Sequence, residues 1–169
     1  MSCLWHTSDW HLGHRNILKY REGPFKTREE LEALLEQNFN DNVTKRDTTY
    51  FHGDMCFDHA SLEVIKRLKG IKILILGNHD EHIKTRTYLE VFDDVVGPIK
   101  KNGFWLSHHP IYEGELYGKP NIHGHTHNQS IYSSEGNLHP MYYNVSVDAT
   151  GFKPVKFQDI VTELSTRKY

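Results

Sequence analysis

Apolar residues in this chain fall into short runs and helical stripes, and most of the runs end abruptly on polar residues. Cys3 to Thr7 reads as a short strand that stops at Ser8-Asp9, and Asn16 to Tyr20 predicts a helical turn. Thr27-Arg28-Glu29-Glu30 is a capping box, a threonine followed three residues later by a glutamate. It opens an amphipathic helix reaching about Asn40, with Leu31, Leu34, Leu35 and Phe39 on one face. Thr48 to His52 is a strand that stops at Gly53-Asp54. Ala60 to Lys69 is a helix with Leu62, Ile65 and Leu68 facing inward and Gly70 as its stop. Ile71 to Leu76 is continuously apolar, the pattern of a strand buried on both faces, and ends at Gly77-Asn78-His79-Asp80. A short helix over Glu81 to about Leu89 follows. Val95 to Lys100 and Phe104 to Ser107 predict a strand pair turning at Asn102-Gly103, the second strand ending at His108-His109-Pro110. Ile122-His123 leads into Gly124-His125-Thr126-His127. Met141 to Val147 is a late strand and Phe157 to Thr166 a terminal helix.

Without repeats, low-complexity segments or linkers, residues 1–169 read as one domain. The polar clusters recur in one context, directly after a strand. In open α/β sheets, ligands gather at the carboxyl ends of strands. Five strand ends are therefore expected to converge on one edge, each bringing side chains able to hold a metal.

Composition narrows the chemistry. The formal net charge of −2 argues against a general polyanion-binding surface, so no broad nucleic-acid signal is present. Histidine is the anomaly: the chain has 13, several of them clustered, and none in a run of tag length. Imidazole is the commonest metal ligand and a frequent acid–base catalyst. The two cysteines, Cys3 and Cys56, make neither a disulfide framework nor a thiolate metal site. Cys56 follows Asp54 closely enough to suggest an oxidation-sensitive thiol near any metal. The first strand begins almost at Met1, so no leader peptide is expected, and no apolar stretch has membrane-spanning length. A cytoplasmic protein without membrane partners is expected.

Asp9-Trp10-His11 offers an oxygen and a nitrogen on alternate residues. Gly53-Asp54 offers a carboxylate whose two oxygens can serve two ions. Gly77-Asn78-His79-Asp80 offers a neutral amide oxygen, then a histidine free to face substrate with Asp80 available to hold its tautomer. Gly124-His125-Thr126-His127 places two imidazoles on alternate residues. The order and contents of these blocks, with His108-His109 between the last two, resemble the calcineurin-like metallophosphoesterases, whose signature is Asp-x-His, Gly-Asp, Gly-Asn-His-Asp/Glu, a lone His, and Gly-His-x-His. The match spans Asp9 to His127 and is nearest to the small bacterial and phage members.

The resemblance implies an α/β sandwich of two mixed sheets flanked by helices. It implies that Asp9, His11 and His127 hold one metal, that Asn78, His108 and His125 hold the second, that Asp54 bridges both, and that His79 is the acid beside the leaving group. The family's His-x-Pro spacing selects His108, leaving His109 as a substrate contact or a surface residue. Ligands of this kind suit Mn²⁺, taken as the expected metal, and also Fe²⁺, Zn²⁺, Ni²⁺ or Co²⁺. Two such ions ~3.5–4 Å apart share a hydroxide that attacks phosphorus. The expected function is a phosphodiesterase on a small nucleotide or cyclic nucleotide, with a phosphomonoesterase and a non-catalytic metal-binding scaffold as the rivals.

Outside the signature, His14 and Arg15 are candidate phosphate contacts, and Lys19 reads as solvated. Tyr112 to Lys119 reads as an ordinary loop, with nucleobase stacking as the rival. His123 is placed near the metals and Asp148 and Asn144 are read as structural. Gly53-Asp54-Met55-Cys56-Phe57-Asp58 lacks the arginine with which protein phosphatases of this superfamily clamp phosphate, which disfavours a protein substrate. Neither a cap nor a DNA-binding domain is expected in a chain of this length.

Overall fold

The protein is described from a computed structural model covering residues 2–167. Among these the chain runs β1 (Leu4–Thr7), α1 (Arg28–Asn42), β2 (Thr48–Phe51), α2 (Leu62–Lys66), β3 (Ile71–Ile75), α3 (Thr85–Tyr88), β4 (Asp94–Val96), β5 (Ile99–Lys101), β6 (Phe104–Leu106), β7 (Asn121–His123), β8 (Tyr142–Asn144), β9 (Val155–Lys156) and α4 (Phe157–Thr166). Single 3-10 turns lie at Ile17–Lys19, Asp80–His82 and Glu113–Glu115.

The strands form two mixed sheets flanked by helices. The first has the order β4-β3-β2-β1-β9, parallel except for β9. The second has the order β5-β6-β7-β8, parallel except for the β5–β6 pair. A parallel bridge from Ser8 to Ser146 links the chain beyond β1 to the chain beyond β8. Alternation along a strand sorts side chains between two cores. Phe51 of β2 packs with Leu31, Leu35 and Phe39 of α1 and Ile65 of α2, whereas its neighbour Tyr50 joins Ile75, Leu106, Ile122 and Ile160. Each of these large side chains contributes about 1.5–3 kcal/mol by leaving water.

Helix α1 starts as the capping box predicts: Thr27 Oγ1 accepts the Glu30 N–H at 3.1 Å. The reciprocal arm differs, because Glu30 Oε2 accepts from Lys26 N at 2.6 Å, one residue ahead of the cap. Leu34 is only half-buried, so the core stripe is Leu31, Leu35 and Phe39.

Several expected elements are shorter or divided. The helix expected over Ala60 to Lys69 is α2, Leu62–Lys66, with turns on either side. The helix expected from Glu81 is broken where Ile83 and Lys84 are extended, which lets Ile83 insert into the core at 2 % exposure. The strand expected from Val95 to Lys100 divides at Gly97-Pro98, with β4 in the first sheet and β5 in the second. Proline has no N–H to continue a ladder. The expected hairpin is present as β5–β6, with Asn102 (φ 51°) and Gly103 (φ 84°) both left-handed, as a type I′ turn requires. β3 is buried at its carboxyl end alone, since Ile71 is 47 % exposed. The late strand is β8, with Ser146 bridging to Ser8 beyond it.

Candidate metal centre

The five polar clusters meet at one edge of the sandwich. They follow β1 (Asp9, His11), β2 (Asp54), β3 (Asn78, His79), β6 (His108) and β7 (His125, His127). Five of these residues are left-handed without being glycine: Asp9 (φ 60°), His11 (52°), Asp54 (56°), His125 (68°) and His127 (51°). Each costs on the order of 1–3 kcal/mol and persists only where surrounding structure enforces it. That concentration of strain singles the edge out as the candidate site. Close approach also demands glycine here. A Cβ at Gly53 would lie 2.6 Å from Gly77 Cα and 2.7 Å from His108 Nδ1, and one at Gly124 would lie 2.0 Å from Ser8 Oγ.

The donor atoms form overlapping groups: Asp9, His11 and His127; Asp9, Asp54 and His108; His108, His109 and His125. Asp9 is fully buried. Its Oδ2 accepts from His125 N at 3.0 Å and Ser146 Oγ at 2.7 Å. Its Oδ1 has no hydrogen-bond partner, nor has His11 Nε2 3.8 Å away. Two buried, unpartnered polar atoms facing one another are what a cation would complete. Asp54 Oδ2 lies 3.8 Å from His11 Nε2 and 3.4 Å from His108 Nε2, so one carboxylate reaches both sets of donors. Asn78 Oδ1 lies 2.9 Å from His108 Nε2. The residues therefore fit divalent cations of the borderline class.

Charge organises the group. Burial alone would raise the pKa of Asp9 and Asp54, yet both are lowered, Asp9 chiefly by its interaction with His11 and Asp54 by that with His108. Burial pulls His108 down, but the hydrogen bond and charge of Asp54 carry it above the ordinary value. His125 is lowered by burial and by His109 and His108.

The supports around these donors depart from the sequence reading in two places. Asp80 was expected beside His79. Instead its buried carboxylate accepts from Asp54 N (2.9 Å), Gly77 N (2.8 Å), Met55 N (2.9 Å) and the Tyr88 hydroxyl (3.0 Å). It faces back under the ends of β2 and β3, where unpaired N–H groups need an acceptor, and so positions Asp54 rather than the His79 ring. Asp148, read as a structural strand residue, lies in a turn, and its Oδ2 accepts from His127 Nδ1 at 2.8 Å. Arg21, which sequence reasoning missed, grips that carboxylate with Nε (2.6 Å) and Nη2 (2.8 Å). The same guanidinium donates to the carbonyls of Asp9 (2.7 Å) and Trp10 (3.2 Å). No local pattern signals this, because the partners are 127 residues apart.

His79 is half-buried, and its N–H donates to Asp54 Oδ1 at 2.8 Å. Its ring, 5.6 Å from that of His11, has no hydrogen-bond partner among the described residues and lines a cavity of 250 Å³ with His11, His127 and His14. Arg15 lines a neighbouring cavity. His109 is exposed, yet its ring centroid is 4.1 Å from that of His125, which brings it to the donor cluster rather than to bare surface. Beneath the centre, His108 Nδ1 donates to His52 O (2.7 Å); His52 Nδ1 donates to Ser107 O (3.0 Å), which leaves its Nε2 to accept from His6 Nδ1 at 2.9 Å. His123 is buried and its Nδ1 donates to Gly124 O at 2.8 Å, next to the donor loop. Cys56 is fully enclosed, and burial with nearby acidic groups pushes its thiol up, the opposite of a reactive cysteine. Tyr112 and Tyr117 are exposed and line none of the cavities at His79.

The family model for calcineurin-like phosphoesterases matches residues 4–158. This chain belongs to the calcineurin-like phosphoesterases. Among curated proteins it is 32% identical over 163 residues to the uncharacterized protein MJ1445 of Methanocaldococcus jannaschii, covering 91% of this chain and 86% of that one. It is 30% identical over 191 residues to the Gene 66 protein of Mycobacterium phage L5, covering 89% of each. Two solved structures share the fold. A protein of unknown function from Aquifex aeolicus, AQ665, superposes with a TM-score of 0.69 at 23% identity, over 96% of this chain and all of that one. The Pseudomonas putida nuclease MPE superposes with a TM-score of 0.50 at 21% identity, over 73% and 60% respectively. As a calcineurin-like phosphoesterase, the chain has divalent metals as its family's cofactors and phosphoesters as its family's substrates. Among the described residues no helix is long and apolar enough to cross a membrane.

Proposed function

We propose that residues 1–169 act as one catalytic domain, a cytoplasmic two-metal phosphodiesterase on small nucleotide-type substrates. Asp9, His11 and His127 would hold one divalent ion and Asn78, His108 and His125 the other, with Mn²⁺ the favoured metal. The observation that carries this reading is Asp54 Oδ2, placed 3.8 Å from His11 Nε2 and 3.4 Å from His108 Nε2, between the two sets. When bound, such ions supply Lewis acidity and an activated water.

The protein's own groups do the rest. His79 donates a proton to the departing oxygen, and its backbone bond to Asp54 keeps that acid in register with the metal donors. His109 meets the phosphoryl group from the side of His125. A diester carries a substituent on each side of phosphorus, and exposed Asn78, His109 and His125 leave room for both. One structural neighbour, the Pseudomonas putida nuclease MPE, acts on a diester, and this chain shares its fold.

The test compares bis(p-nitrophenyl) phosphate with p-nitrophenyl phosphate on Mn²⁺-loaded protein. A higher kcat/KM for the diester is expected. A monoester preference replaces this reading with a phosphomonoesterase, and no turnover of either replaces it with a metal-binding scaffold.

A further inference from the structure

Two cavities meet at a wall made by His14 and Phe57. The first, of 250 Å³, lies over His11, His79 and His127 and is also lined by Ile17 and Tyr20. The second, of 440 Å³, lies across the same wall and is lined by Arg15, Asn16, Asp58 and His82. Phe57 is the centre of the arrangement. Its ring centroid is 4.7 Å from that of His14 and 5.1 Å from those of His79 and of His82, at angles from 32° to 59°. His14, His82 and Phe57 belong to none of the candidate metal groups. A site that recognised only a phosphoryl group would have no use for a half-buried aromatic ring, tilted against the rings of His11, His14, His79 and His82, beside its acid. Planar heterocycles stack on such surfaces whatever their sequence identity.

The second cavity has a different chemistry. Arg15 is exposed and forms no ion pair among the described residues, which leaves its guanidinium for a ligand. The acidic neighbour there, Asp58, is held by the Ser61 turn, its Oδ1 accepting from Ser61 N (2.9 Å) and Ser61 Oγ (2.7 Å), and it makes no ion pair with Arg15. Guanidinium binds phosphate through paired N–H donors.

Resting on the phosphodiesterase reading, we infer that the substrate is a dinucleotide-type diester whose base lies against Phe57 and His14 and whose additional terminal phosphate is met by Arg15 in the second cavity. A mononucleotide would leave that cavity empty.

The test is equilibrium binding of phosphorothioate-linked dinucleotides, unphosphorylated or carrying a phosphate at the 5′ or the 3′ end, to the Mn²⁺-loaded protein. Wild type should bind one phosphorylated form about tenfold more tightly than the unphosphorylated one, as a charge-assisted contact predicts. Arg15→Gln, at an exposed position where folding is not at stake, should bring the two within about twofold. Phe57→Leu keeps bulk but loses the flat face, and should weaken both by at least about fivefold. An unchanged preference in Arg15→Gln, or wild-type affinity in Phe57→Leu, overturns the inference. Turnover of the unmodified dinucleotide is measured in parallel. Tight binding that depends on Arg15 and Phe57 without hydrolysis would support the subsite and remove the phosphodiesterase reading instead.

Discussion

His127 donates its Nδ1–H to Asp148 Oδ2 at 2.8 Å, and this bond decides which ring nitrogen is left for a metal. With Nδ1 committed, Nε2 is the free lone pair, and the ring lies stacked 5.1 Å from that of His11. Carboxylate partners of metal-binding imidazoles typically change metal affinity by 10–100-fold. Asp148→Asn is therefore expected to weaken one of two Mn²⁺ binding steps by about that factor, read by titration calorimetry. Asp148→Ala would in addition leave the buried Arg21 guanidinium without a counter-charge, bonded only to the carbonyls of Asp9 and Trp10, and should lower unfolding stability by about 3 kcal/mol. Equal weakening of both binding steps in Asp148→Asn would argue against a role confined to His127.

Asp54 reaches both donor sets, so its loss should not spare either. Asp54→Ala is expected to abolish activity and reduce metal content at both positions, read by elemental analysis or anomalous scattering. Full occupancy of both positions in the variant would remove the bridging role.

The neighbours His108 and His109 should separate cleanly. His108 is buried with its Nε2 3.4 Å from Asp54 Oδ2, whereas His109 is exposed. His108→Ala should weaken one metal, with partial rescue by excess Mn²⁺. His109→Ala should retain metal and raise KM. The reverse pattern would transfer the ligand role to His109.

For His79, the leaving group is the discriminating variable. General acid catalysis is worth ~10²–10⁴-fold when the departing oxygen is a poor leaving group. His79→Ala should keep both metals and lose kcat on alkyl or ribose esters by about that factor, with a far smaller loss on p-nitrophenyl esters. Equal losses on both, mainly in KM, would make His79 a phosphate contact instead of an acid.

Acid stability should follow the buried His6–His52 pair. Burial, with His52 beside it, holds His6 well below its ordinary value, and burial lowers His52 to about 3. A histidine whose folded pKa is depressed binds its proton more readily in the unfolded chain. Stability is then full above the unfolded value of about 6.5 and falls as pH drops below it, by about 1.4 kcal/mol per pH unit for each such group. Urea unfolding of the metal-free protein should show this loss between pH 6.5 and 4.5, and His6→Gln should flatten the slope by about one proton. An unchanged slope would mean that His6 contributes nothing to it.

Much of this protein is present in local pattern. Apolar runs ending on Ser8-Asp9, Gly53-Asp54 and Gly77-Asn78-His79 place those side chains at strand ends, because a strand stops where burial stops and glycine permits the turn. Thr27 and Glu30 mark the start of α1, and Asn102-Gly103 marks the hairpin, for equally local reasons of capping and positive φ. Tertiary structure alone decided which sheet each short strand joined, since periodicity sets which residues share a face but not which strand is the neighbour; hence the division at Gly97-Pro98. It also decided what the carboxylates of Asp80 and Asp148 bind. A buried carboxylate turns to whatever donors the fold brings near. For Asp80 these are the N–H groups of Asp54, Met55 and Gly77 with the Tyr88 hydroxyl, and for Asp148 they are Arg21 and His127, one of them 127 residues away along the chain. The ligand types are written in order along the chain; the contacts that orient them exist only once distant segments have packed.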